Sequence, residues 1–290
     1  MKKSSTAQPL AYNNVMKKIY TMGQSLNADP LTFKKAVLVC FYVMGIRFTA
    51  DFFLSIFKLD IGIMPNITFL VVVLIIARKM GKDELRRVFA WRDVPLPVFA
   101  GIMVMFFGVD MIRSELSNLL QILLPVPNKF FNGWFYEPNN VFLAITSISL
   151  FPGFTEEILF RGVIARKFFR TYSPCKAVVL NAVLFGIMHI NPWQMTNSFL
   201  GGIFYGWIYW RYRSIWLCMF MHAYNNVLAV FMSYPYIRIE DYTSYQLMWH
   251  HPAWFNILGL LLFGFGLLTV IVLHCKEKKL IPVTHKESLK

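Results

Sequence analysis

Residues Ile257 to Cys275 read I-L-G-L-L-L-F-G-F-G-L-L-T-V-I-V-L-H-C, with no acidic residue, lysine or arginine among them. Coiled as a helix, a run of this length covers about 28 Å, close to the thickness of a bilayer's hydrocarbon core. Phe69 to Ala77 and Val141 to Leu150 are similarly almost free of charge, and each lies within a stretch of spanning length. Strands of a membrane barrel would show about ten residues of alternating polarity, which none of these blocks does. The chain therefore reads as all-α and polytopic. Composition agrees, because 57% of the 290 residues are apolar and only 15% are charged. A soluble domain carries roughly a quarter of its residues as charges.

Eight spans are expected, at about 35–57, 63–78, 96–123, 140–165, 175–191, 197–211, 214–233 and 254–275. They make one membrane domain over residues 35–275, between a basic N-terminal segment at 1–34 and a basic tail at 276–290. The third and fourth spans exceed what a bilayer needs, so tilt or kinks are expected there. Ser117 to Asn140 mixes polar, proline and aromatic residues and is expected to become an interfacial segment. The first thirty residues, polar and basic with no apolar core, are not expected to be a cleavable signal.

The basic residues alternate from loop to loop. Lys17, Lys18, Lys34 and Lys35 precede the first span, and Arg78, Lys82, Arg86, Arg87 and Arg92 follow the second. Arg166, Lys167 and Arg170 follow the fourth, Arg211 and Arg213 the sixth, and Lys276, Lys278 and Lys279 the last. The intervening loops hold only Lys58, Lys129 and Arg238. Basic loops stay on the cytoplasmic side, so both termini are expected to be cytoplasmic and the number of spans even. The net charge of +14 is thus a topology signal with some attraction to anionic lipid, and no nucleic-acid partner is expected. Aromatic residues at 130–136 and 234–254 read as interfacial belts. Cys40, Cys175, Cys218 and Cys275 are isolated and indicate neither a disulfide framework nor a metal cluster.

Ionisable groups inside a span cost about 2.5–3.5 kcal/mol each on insertion scales, and so need a reason to be there. The fourth span reads Phe-Pro-Gly-Phe-Thr-Glu-Glu-Ile-Leu-Phe-Arg-Gly from Phe151 to Gly162. Glu157 and Arg161 lie four apart on one helical face and are expected to pair. Glu156, rotated about a hundred degrees away, has no local partner and is poised for proton transfer. Pro152 and Gly153 loosen the helix just before it. The fifth span places Phe185 and His189 four apart, and the seventh does the same with His222 and Asn226. One Glu, two His and one Asn on three spans supply a base, its orienter and two hydrogen-bond donors, the parts needed for peptide hydrolysis by an activated water.

Taken in order, Glu156-Glu157-Ile-Leu-Phe-Arg161, Phe185 to His189 and His222 to Asn226 resemble the motifs of the CAAX-protease and bacteriocin-processing (CPBP) family of intramembrane proteases. This family is also called the Abi or type II CAAX endopeptidase family. The resemblance covers residues 140–233, with no departure at the motif positions. It implies eight helices and an endopeptidase acting on a membrane-associated peptide or protein. By the same resemblance Glu156 is the general base, His189 its partner in activating water, and His222 with Asn226 the oxyanion hole. Glu157 and Arg161 are implied as anchors of Glu156, and the family's metal-independent glutamic chemistry implies no cofactor.

Three other readings compete. Glu156, His189 and His222 are a possible zinc set, although His-Glu-x-x-His is absent. A proton-coupled transporter would build its path from membrane carboxylates such as Asp51 and Asp110, but these have Arg47 and Arg113 beside them and no inverted repeat is visible. A non-catalytic membrane scaffold would keep the motifs without using them. Straight helices would also leave Glu156 a turn or two nearer the cytoplasm than His189. Gly202 and Gly206 read as a close-packing pair.

Overall fold

The computed structural model describes residues 31–57, 64–78, 81–89, 91–123, 142, 145–189, 192–233 and 251–279. Among these residues the structure is helix and connecting turn, without strand. In chain order the helices are α1 (Phe33–Ile56), α2 (Met64–Arg78), α3 (Lys82–Val88) and α4 (Leu96–Leu123). A rod at 145–171, α5, is followed by α6 (Pro174–Ile187), α7 (Pro192–Tyr212), α8 (Ile215–Ser233) and α9 (Ala253–Lys279). Three segments are long and apolar enough to cross a membrane: Phe33–Ile56, Leu96–Leu120 and Ala253–Leu273. Their outward faces are apolar, with Phe41 68% exposed and Leu261 and Phe265 each 64% exposed. Side chains of this kind are stable in lipid and not in water.

The boundaries differ from expectation for local reasons. α1 begins two residues early because the Thr32 hydroxyl caps it, accepting from the Lys35 N–H, while the Phe33 N–H donates to the Tyr172 hydroxyl at 2.9 Å. α6 stops at Ile187 and not at 191, and α7 starts at Pro192 and not at 197. Pro192 disfavours helix in the residue before it and is well placed to open the next one. α5 continues to Thr171, and α9 runs four residues beyond Cys275 to Lys279. Helix α3 lies where only a loop was expected. Asp83 and Glu84 occupy its first turn and Arg86 and Arg87 its last, which complements the helix dipole. Residues 1–30 and the aromatic clusters at 130–136 and 234–249 lie outside the described residues, as does most of the interfacial segment; Ser117 to Leu123 of that segment continue α4.

α5 is the central element. All eight residues from Ile158 to Ala165 are buried, so this stretch of α5 is surrounded by protein on every side. α7 packs on α6 through the expected glycines: Gly202 faces Ala182 and Phe185, and Gly206 faces Val178. α9 packs against α4 through backbone-to-backbone contacts at Gly108 and Gly266, where a Cβ on Gly266 would stand 2.6 Å from the Gly101 carbonyl oxygen. Gly264, two residues away, has nothing within 4 Å. Gly266→Leu is therefore expected to lower stability by at least about 1–3 kcal/mol, the usual penalty for overpacking, and Gly264→Leu to be silent. Thermal unfolding of both variants in the same detergent measures this, and equal midpoints would refute the close approach.

Candidate functional site

The candidate residues Glu156, Glu157 and Arg161 sit on an irregular helix. Ile145–Leu150 and Ile158–Ala165 of α5 are wound as π-helix, and Phe151–Glu157 between them is α-helix, with the two glutamates at its end. Wide turns of this kind are uncommon and frequently occur at functional sites. Gly153 lets α5 approach α8: a Cβ there would stand 2.8 Å from the Ala223 backbone. This contact brings the residue before Ala223, His222, to the glutamates.

Glu157 and Arg161 are fully buried and paired as expected, with Arg161 Nη1 donating to Glu157 Oε1 at 2.8 Å. Arg161 Nη2 donates to the Gly202 carbonyl at 3.2 Å, joining α5 to α7. The guanidinium lies 4.7 Å from the Phe185 ring centre and 5.4 Å from that of Tyr205. Glu157 Oε1 also accepts from His222 Nδ1 at 2.9 Å. Carboxylate, guanidinium and imidazole thus hold three helices together from within.

The same bond sets the tautomer of His222. An ionised carboxylate only accepts, so the His222 Nδ1 carries a proton and Nε2 points away from Glu157. His189, in the turn just past α6, follows the same logic: its Nδ1 lies 2.9 Å from the Phe185 carbonyl and must donate to it. Both Nε2 atoms face Glu156. Its Oε2 stands 3.9 Å from the His189 Nε2 and 4.0 Å from the His222 Nε2, and has no hydrogen-bond partner. The depth mismatch between Glu156 and His189 is therefore gone, because His189 sits on a turn beyond the helix end and α5 is locally rewound.

Phe185 packs edge-on against His189, His222 and Phe160 at 5.1, 5.6 and 5.0 Å, fixing both imidazoles. Tyr205 stacks on His222 with ring centres 5.3 Å apart. Tyr205 was not singled out in the sequence, although its spacing of three from Gly202 puts both on one face of α7. Asn226, one turn along from His222, donates to the Ile148 carbonyl at 3.4 Å. Its orientation comes from a residue the sequence reading also missed: the Asn225 amide donates to Asn226 Oδ1 at 3.2 Å and accepts from Arg113 Nη1 at 3.1 Å. Arg113 also pairs with Asp110 at 3.4 Å. The Asp110–Arg113 pair forms within its own helix as expected, and it additionally anchors the asparagines. Arg47 and Asp51 pair at 3.7 Å on α1.

Among the described residues, no group of three His, Cys, Asp or Glu side chains stands at metal-binding spacing. Zinc ligands at about 2.0–2.2 Å from a tetrahedral ion lie about 3.3–3.6 Å from one another, closer than the separations around Glu156. Cys40, Cys175 and Cys218 are free thiols.

This constellation falls inside a region with known relatives. Residues 138–228 match the family model of the type II CAAX prenyl endopeptidase Rce1-like proteins. The chain is also 24% identical, over 61% of its own length and 72% of the relative's, to YdiL of Bacillus subtilis (strain 168), described as a candidate membrane peptidase. No solved structure matches the chain.

Proposed function

We propose that this protein is a multi-pass intramembrane endopeptidase that hydrolyses a peptide bond in a membrane-associated peptide or protein with water activated by Glu156 and His189. The reading rests on one observation: a carboxylate oxygen without a hydrogen-bond partner and two imidazole Nε2 atoms converge from α5, α8 and the turn after α6 inside an apolar bundle. Separations of 3.9 and 4.0 Å are too long for direct hydrogen bonds and suit a shared water oxygen between the groups. That water donates one proton toward Glu156 and the other toward the unprotonated Nε2 of His189, and its oxygen attacks the scissile carbonyl.

The oxyanion that forms needs donors. His222 can donate through Nε2 only when both ring nitrogens are protonated. Asn226, steered by Asn225, is the second donor. Proton return to the leaving amine falls to the carboxyl of Glu156.

Both termini are placed in the cytoplasm and eight helices in the bilayer, on the alternation of basic loops. Reporter fusions after Met80, Arg170 and Lys290 are expected to read cytoplasmic, and one after Phe135 external; an external reading at Lys290 removes the even count. Cleavage of membrane peptides by the purified protein in liposomes tests the activity itself. Activity is expected to survive strong chelators, whereas zinc at one per chain, lost together with activity, would replace the glutamate mechanism with a metal one.

A further inference from the structure

Away from the glutamates, at the far end of α5, three arginines converge on one carboxylate. Arg166 Nε donates to Glu84 Oε2 at 2.7 Å, Arg170 Nη2 donates to Oε1 at 2.9 Å, and Arg87 Nη1 stands 3.7 Å from Oε1. Burial by itself raises the Glu84 carboxyl, but the hydrogen bonds and charges of Arg166 and Arg170 outweigh it and hold Glu84 below the usual carboxylate range. The remaining acids of this segment are engaged outside the group. Asp83 is exposed beside Arg86 at 3.9 Å, and Asp93 accepts from the Trp91 indole.

Two further arginines border the group without a carboxylate partner among the described residues. Arg213, in the turn between α7 and α8, holds φ at 54°, a left-handed conformation uncommon for arginine, and its guanidinium lies 4.8 Å from the Phe169 ring centre. Arg92 has a buried Nε with no hydrogen-bond partner. The Trp216 indole donates to the Phe89 carbonyl at 2.9 Å, which ties the segment carrying Arg92 to the start of α8, beside Arg213. Burial weakens the hold of Arg213 on its proton; Tyr209 opposes this, and the nearby charges of Arg166, Arg92 and Arg170 add to it. Basic residues that serve only to orient a membrane protein stay in water, as Arg86 does at 81% exposure, whereas Arg166 and Arg170 are 18% and 23% exposed. Half-buried guanidinium groups held together with one shared carboxylate need an anion beside them.

We propose that Arg92 and Arg213, backed by Arg166 and Arg170, bind the phosphate of an anionic ligand at this end of the bundle. Planar guanidinium groups suit phosphate, which they grip with paired hydrogen bonds. An anionic phospholipid headgroup and free phosphate share this chemistry. The adjacent Trp91, 73% exposed, favours the lipid, since indoles concentrate at headgroup depth. The site is independent of the catalytic reading and needs no peptidase substrate to test.

The test follows the thermal unfolding midpoint of the full chain in neutral detergent. Short-chain phosphatidylglycerol, short-chain phosphatidylcholine and inorganic phosphate are titrated separately against sodium chloride at matched ionic strength. Phosphatidylglycerol is expected to raise the midpoint saturably and phosphatidylcholine to do little. Half-saturation should move about tenfold or more upward in Arg213→Gln and in Arg92→Gln, and stay unchanged in Arg86→Gln. Arg92 lies in the irregular segment before α4, so its variant tests the site even if the turn at Arg213 tolerates no change. Saturation by inorganic phosphate alone, lost in the same two variants, also supports the site and makes free phosphate its ligand. The proposal is overturned if chloride matches every effect, or if Arg92→Gln titrates like the parent.

Discussion

Arg161→Ala is expected to melt well below the parent protein and to reach the membrane in lower yield, losing about 3–5 kcal/mol of stability. The side chain is fully buried, and it joins α5 to α7 through the Gly202 carbonyl while balancing Glu157. Truncation removes two charge-assisted hydrogen bonds and the contacts to Phe185 and Tyr205, and leaves a carboxylate stranded in an apolar interior. Against a total stability of about 5–15 kcal/mol for a typical domain, that is a large share. The mechanism of the loss can be separated from mere truncation. In the double variant Arg161→Met with Glu157→Gln both charges go and the volume is nearly kept, so much of the stability should return. Catalysis should not return, because His222 then has only a neutral oxygen to orient it. Unfolding midpoints in one detergent for parent, single and double variants decide the matter; an Arg161→Ala protein that melts with the parent would mean the buried pair contributes nothing.

The pairing of Glu157 with Arg161 was legible in the sequence because it is local. Four residues of helix set it, and even the passage from α into π winding after Glu157 leaves the two side chains in reach. The bond from His189 to the Phe185 carbonyl also follows from a spacing of four, although His189 proved to lie off the helix end. Apolar run length marked where the long helices lie among the described residues, with ends off by as many as six residues at Thr171 of α5 and five at Pro192 of α7. What the sequence did not show was whatever depends on contacts between helices. Nothing local tells that Gly153 admits Ala223, or that Arg113 reaches across to Asn225 after pairing with Asp110. Helix α3 escaped because a seven-residue charged helix has no apolar run, and its dipole-matched ends look like any basic loop. The π winding of α5 escaped because no residue type encodes it. The offset in depth that straight helices would leave between Glu156 and His189 is absent, with the two side chains 3.9 Å apart.

Glu156→Gln is expected to abolish peptide cleavage while leaving the fold intact. The side chain keeps its size, and Glu156 takes no part in the Arg161–Glu157–His222 bond set, so the unfolding midpoint should stay near that of the parent. What changes is chemistry. The amide cannot take a proton from water, and its NH2 now donates toward an imidazole Nε2, replacing the acceptor that faced it. General-base catalysis typically contributes about 10²–10⁴ in rate, and in a dry site bulk hydroxide offers little substitute. Loss of one oxyanion donor is a milder lesion: Asn226→Ala is expected to lower the rate by about 10²–10³ and leave measurable turnover. The order of damage is therefore diagnostic, with Glu156→Gln below Asn226→Ala, and both below the parent, at equal folded fraction. The assay is cleavage of a membrane-inserted peptide in liposomes by single-turnover kinetics, with folding followed in parallel by thermal shift. A folded Glu156→Gln protein that cleaves as fast as the parent would remove Glu156 as the base and leave the converging histidines without a catalytic role.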